Sequence, residues 1–155
     1  MINLSYRPNF IMNVKTPIFI ASSIISQSDM KQAMAVRHNV FVEEQGIDER
    51  EEYDGLDDSC LQFVLKLADK VIGTARVRFI PGDYAKVKRM AILKPFRKQG
   101  AGKTLLTFIL FHVEASQVIL HAQWTAIPFY KACGFKEINE PFFEAGIKHI
   151  KMVKT

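Results

Sequence analysis

Between residues 97 and 103 the chain reads Arg97-Lys98-Gln99-Gly100-Ala101-Gly102-Lys103, with a β-type run (Ala85–Leu93) before it and an apolar helical run (Lys103–Glu114) after it. A glycine-rich junction from a strand into a buried helix favours folds in which helices cover a sheet. The glycines let successive backbone N–H groups converge, and the helix start adds about half a positive charge. Arg97, Lys98 and Lys103 contribute formal charge, so the loop suits a pyrophosphate. Two glycines with solvated basic neighbours make a plain tight turn equally well, because short glycine motifs are weakly specific. The GxxxxGK[ST] pattern is absent, which disfavours ATP.

The elements around that junction can be read in order. Pro17–Ile25 is a β-branched run; Ser28 then offers a cap to a helix carrying Met30, Met34, Val36, Val40 and Phe41 at roughly helical spacing. Asp54-Gly55 signals a turn, Leu61–Leu67 and Val71–Ile80 form a hairpin about Asp69-Lys70, and Ala85–Leu93 extends it to a three-strand meander. Strand Gln117–Ala122 follows the buried helix. A helix over Thr125–Cys133 takes Pro128 in its first turn and ends at Gly134 as a left-handed cap, before strands Phe135–Ile138 and Gly146–Val153. This order predicts an α/β (α+β) domain with helices flanking a central sheet. At 155 residues one domain is expected, over 12–155, with residues 1–11 as a leader ahead of Met12.

Composition removes several classes. No apolar run reaches the ~20 residues of a membrane span, and Cys60, Cys133 and four scattered histidines suggest neither a disulfide framework nor a metal site. The expected setting is a reducing cytoplasm. The formal charge of +5 hides an asymmetry: Glu43–Asp58 holds nine of the 16 acids and one base, leaving +13 on the remainder. That segment reads either as a solvated loop or as a lure for a cationic ligand.

A second informative string is Ala126-Ile127-Pro128-Phe129-Tyr130-Lys131-Ala132-Cys133-Gly134-Phe135. Tyr130 has a hydroxyl that can donate a proton, although such aromatics most often build a core. Taken together, Arg97-x-x-Gly100-x-Gly102 resembles the (Q/R)xxGx(G/A) loop of the GNAT acetyltransferase superfamily, and Ala126-x-x-Phe129-Tyr130-x-x-x-Gly134-Phe135 resembles its AxxxYxxxGF segment. Arg37–Ile47, Leu120–Gln123 and Phe143–His149 further resemble the ElaA/YjcF-like branch.

The resemblance implies a GNAT fold, a mixed and mostly antiparallel twisted sheet flanked by helices, and an acetyl-CoA-dependent N-acetyltransferase using direct attack in a ternary complex. It implies CoA binding by Arg97, Lys98, Gln99, Gly100, Ala101, Gly102 and Lys103, with Phe129 beside them. Met90, Ala91 and Ile92 would pair with the pantetheine arm, and Gln123 would contact its amide. Tyr130 becomes the donor to the departing thiolate. The strand before the loop bears Lys86, Lys88 and Arg89 where many members have a carboxylate, so His121 and Glu144 are the candidate bases, each with an equally ordinary structural role. An imidazole titrates near 6.5 in water, which suits a base.

Phe41, Tyr53 and Asp54 are expected on the acceptor side. Arg37, Phe41, Asp54-x-x-Asp57 and Arg76 also resemble acyl-homoserine lactone synthases, without their tryptophan, which leaves that activity a distant alternative. A non-catalytic CoA-binding module is the nearer one. A small-molecule amine is the expected partner; a homodimer is allowed, and neither nucleic acid nor membrane is expected.

Overall fold

The computed structural model describes residues 16–24 and 26–155. The leader expected over 1–11, like Met12, lies outside the described residues. Seven strands run β1 (Phe19–Ser23), β2 (Leu61–Leu67), β3 (Lys70–Ile80), β4 (Tyr84–Ile92), β5 (Gln117–Gln123), β6 (Lys136–Glu144) and β7 (Ile147–Lys154). They form one sheet in the order β1-β2-β3-β4-β5-β7-β6. All pairings are antiparallel except β4 with β5. Helices α1 (Gln27–Arg37), α2 (Glu49–Glu52), α3 (Ala101–His112) and α4 (Ile127–Ala132) complete the chain.

Strand alternation feeds two cores. Phe63 and Leu65 of β2 pack with Leu105, Leu106 and Ile109 of α3, whereas Val64 between them packs with Ala33 and Val36 of α1. Both faces of the central strands are covered, which is why β3 is buried continuously from Val71 to Val77. The buried positions Ala33, Val36/Arg37, Val40 and Phe41 follow the 3–4 spacing of one helical face.

Two local departures matter. The first helix is capped by Ser26, whose hydroxyl accepts from the Asp29 N–H at 3.0 Å, two residues before the expected cap. After Arg37 the chain widens into a π-helical turn, His38–Glu44. The other departure is β6, which runs to Glu144 and not Ile138, because a bulge with Asn139 at φ +64° carries pairing past an apparent break.

Candidate active site

The site is a fault in the sheet. Parallel pairing between β4 and β5 runs from Tyr84↔Gln117 to Val87↔Leu120 and then stops, although β4 continues to Ile92 and β5 to Gln123. The strands part into a wedge, and one edge of β4 keeps unpaired backbone groups there. Arg89, at φ +53°, sits opposite the irregularity between Thr74 and Arg76 and re-aims β4 at that level. The wedge opens a cleft of about 390 Å³, a size that suits a small ligand.

At the head of the wedge lies the glycine loop. Gly100 takes φ +86° and caps α3 with no side-chain partner, so the first-turn N–H groups of α3 are left free. Gly102 serves a different purpose: a Cβ there would stand 3.2 Å from the Phe129 ring. Lys98, Gln99 and Lys103 are exposed around this helix start. A diphosphate fits that cradle of free N–H groups and cations. Ala91 is buried between β4 and α1, while Met90 and Ile92 are partly exposed.

The predicted catalytic groups converge on the cleft, which Tyr130, His121 and Glu144 all line. The Tyr130 hydroxyl is 3.8 Å from the Met90 sulfur, and burial, with Cys133 nearby, pushes it up to about 12. Nδ1 of His121 is 3.4 Å from the Glu144 carboxylate, and Nε2 of His149 is 4.0 Å from the same group. The close approach of the His121 ring, with the charges of His149 and Lys86, holds Glu144 down to about 2 against the effect of burial. The Phe142 ring meets both imidazoles, edge-on to His121 and stacked on His149. His149 had no predicted role. Its signal was in the strand alternation, which puts it opposite Gln123.

The acceptor-side expectations divide. Phe41 is buried and lines the cleft. Tyr53 does not line it; its hydroxyl lies 3.1 Å from His38 Nδ1. Asp54 lines the cleft, but its carboxylate is engaged by Arg76 and, at 3.3 Å, by Arg89. Burial would raise the Asp54 carboxyl, yet the Arg76 hydrogen bonds hold it well below the usual range. Arg37 joins Glu52 and Asp57, Arg76 also reaches Asp57 at 3.0 Å, and Arg89 reaches Glu52 at 2.8 Å. Three arginines thus neutralise three of the nine acids of Glu43–Asp58, while Glu43, Glu49, Glu51 and Asp58 stay exposed. Gln123 pairs its amide with Gln45, donating at 2.8 Å and accepting at 3.3 Å.

Among the described residues no three His, Cys, Asp or Glu side chains are grouped to hold a metal, and no helix is long and apolar enough to cross a membrane. The family model for an acetyltransferase (GNAT) domain matches residues 25–155. The N-acetyltransferase YjcF of Bacillus subtilis, itself uncharacterized, is 35% identical over 133 residues, covering 83% of this chain and 94% of YjcF. Escherichia coli ElaA superposes with a TM-score of 0.78 at 23% identity, over 89% of this chain and all of that one. A GNAT acetyltransferase of Elizabethkingia anophelis, solved with acetyl-CoA bound, shares the fold at a TM-score of 0.66 and 16% identity, over 87% of this chain and 94% of that one.

Proposed function

The chain belongs to the GNAT acetyltransferase superfamily, in its ElaA/YjcF-like branch, and on that premise we propose that it transfers an acetyl group from acetyl-CoA to a primary amine of a small molecule by direct attack in a ternary complex. The observation that carries this reading is the wedge, which joins an anion cradle at Gly100–Lys103 to a cleft lined by a hydroxyl donor and an imidazole–carboxylate pair. Bound acetyl-CoA would supply an acyl group activated as a thioester.

The cradle N–H groups, with Lys98 and Lys103, bind the diphosphate, and the open edge of Met90–Ile92 pairs with the arm. A backbone N–H of that edge stabilises negative charge on the acyl oxygen. His121 takes the proton the amine releases as its nitrogen bonds to the acyl carbon, and Glu144 orients that ring. Tyr130 donates to the sulfur as the carbon–sulfur bond breaks. At pH 7 roughly one in 2,500 molecules of a lysine-like amine is neutral, so a proton acceptor at this spot matters. Cys133 is partly buried, and burial raises its thiol, which suits no acyl-enzyme role.

A thiol-release assay with acetyl-CoA across amines, amino acids, aminosugars and peptides tests the reading. Turnover of a small amine supports it. Acetyl-CoA binding without turnover of any amine would favour a non-catalytic CoA-binding module.

A further inference from the structure

Lys86 and Lys88 stand two residues apart on β4, so their side chains leave the same face of the strand. Ala85 and Val87 belong to the α3 core, which puts the two lysines on the opposite face, where both line the cleft. Each is partly buried, and among the described residues neither makes an ion pair or side-chain hydrogen bond.

This lack of a partner is notable because acids line the same cleft. Glu52 and Asp54 are held by Arg37, Arg76 and Arg89, and Glu144 is held by His121 and His149. Glu51 is the remaining acid of the lining, and it is exposed. Two cations are therefore held close together in a partly dehydrated cleft. Desolvation lowers the proton affinity of both, and Lys88 lowers that of Lys86 further, together outweighing the opposite pull of the Glu144 charge.

We propose that Lys86 and Lys88 form an anion subsite, so that the acceptor is an amine that also carries a carboxylate or a phosphate. The inference rests on the transferase reading above and names its substrate class. Lys86 faces Ile119 across the parallel pair, and continuing that register brings Lys88 level with His121 where the strands part. Both lysines and His121 line the one cleft, so an anion at the lysines and an amine at His121 can belong to one small molecule, such as an amino acid or a short aminoalkyl phosphate. The cations also disfavour the ammonium form of the bound amine, which helps attack.

The test compares molecules that differ in the anion alone. Amino acids are assayed beside their amides, and ethanolamine phosphate beside ethanolamine, by thiol release and by calorimetric binding to the CoA-loaded protein. The anionic member should lead by tenfold or more in kcat/KM, with the two arms telling carboxylate from phosphate. In K86M/K88M that ratio should fall to about one, and in Lys88→Gln alone it should fall part of the way. Equal use of amides and acids by the parent protein, or a ratio unchanged in both variants, overturns the subsite. If no amine releases thiol, the transferase reading fails by itself; binding of the acids that disappears in K86M/K88M still upholds the subsite, and no binding overturns it.

Discussion

Arg97 meets Glu44 fork to fork, with Nη1 2.6 Å from Oε1 and Nη2 2.8 Å from Oε2, while its Nε donates to the Ile92 carbonyl at 2.8 Å. The acidic segment thus touches the residue expected to bind the CoA diphosphate, and the Arg97 hydrogen bonds hold the Glu44 carboxyl below its ordinary value. A diphosphate at the loop must share or replace this partner. Both side chains are about one-third exposed, so the pair is worth roughly 1 kcal/mol or less. Glu44→Gln should therefore tighten acetyl-CoA by up to about fivefold in calorimetry, whereas Arg97→Leu should weaken it about tenfold or more. Weaker binding in Glu44→Gln would mean that the carboxylate positions Arg97 instead of competing for it.

Tyr130 is held at about 12, so it stays a neutral donor throughout the working pH range. A departing thiolate of ordinary basicity, near 8.5, falls about 5 kcal/mol short of taking its proton outright. In the proposed mechanism the hydroxyl therefore serves as a hydrogen-bond donor to charge developing on sulfur. Tyr130→Phe should lower kcat by about 10²-fold or more and leave the acetyl-CoA dissociation constant within about twofold. The loss should be the same at pH 7 and pH 9.

The arginine–carboxylate network predicts an acid-sensitive fold. Burial opposes ionisation of Asp57, but Arg37 and Arg76 lower its carboxyl, as Arg76 and Arg89 do for Asp54. Carboxyls depressed in the folded state stabilise it fully above their unfolded value near 3.9, and that stabilisation is lost as pH falls below it. Thermal midpoints should hold down to about pH 4.5 and drop steeply toward pH 2. Removing one partner strands the opposite buried charge, so Arg76→Met should cost about 3–5 kcal/mol in chemical denaturation.

Legibility followed how local each signal was. Gly134, at φ +91°, and the helix-starting glycine loop were readable because left-handed backbone favours glycine and turn chemistry is encoded within a few residues. Strand Leu61–Leu67 was readable to the residue from its β-rich run. The network was not, since Arg37 and Asp57 are 20 residues apart and buried arginines look like surface ones until their partners are known. Nor could spacing separate a π turn from an α-helix over seven residues, yet that turn brings Phe41 and Gln45 into the cleft lining. Lys86 and Lys88 were read only as missing carboxylates. Their meaning depends on which face of β4 they leave.

Glu144 is held at about 2 by His121, His149 and Lys86, so it stays ionised wherever the enzyme works and cannot itself carry the released proton at neutral pH. In the proposed mechanism the proton therefore goes to His121, and Glu144 orients the ring. His121→Ala should cut kcat/KM by about 10²-fold or more at pH 7, and the deficit should shrink as pH rises and free amine becomes abundant. Glu144→Gln keeps an oxygen beside the ring but loses its charge, so a milder loss of about tenfold is expected, with an altered pH profile. Comparable losses at pH 7 and pH 9.5 in His121→Ala would show that the imidazole holds the acceptor and moves no proton.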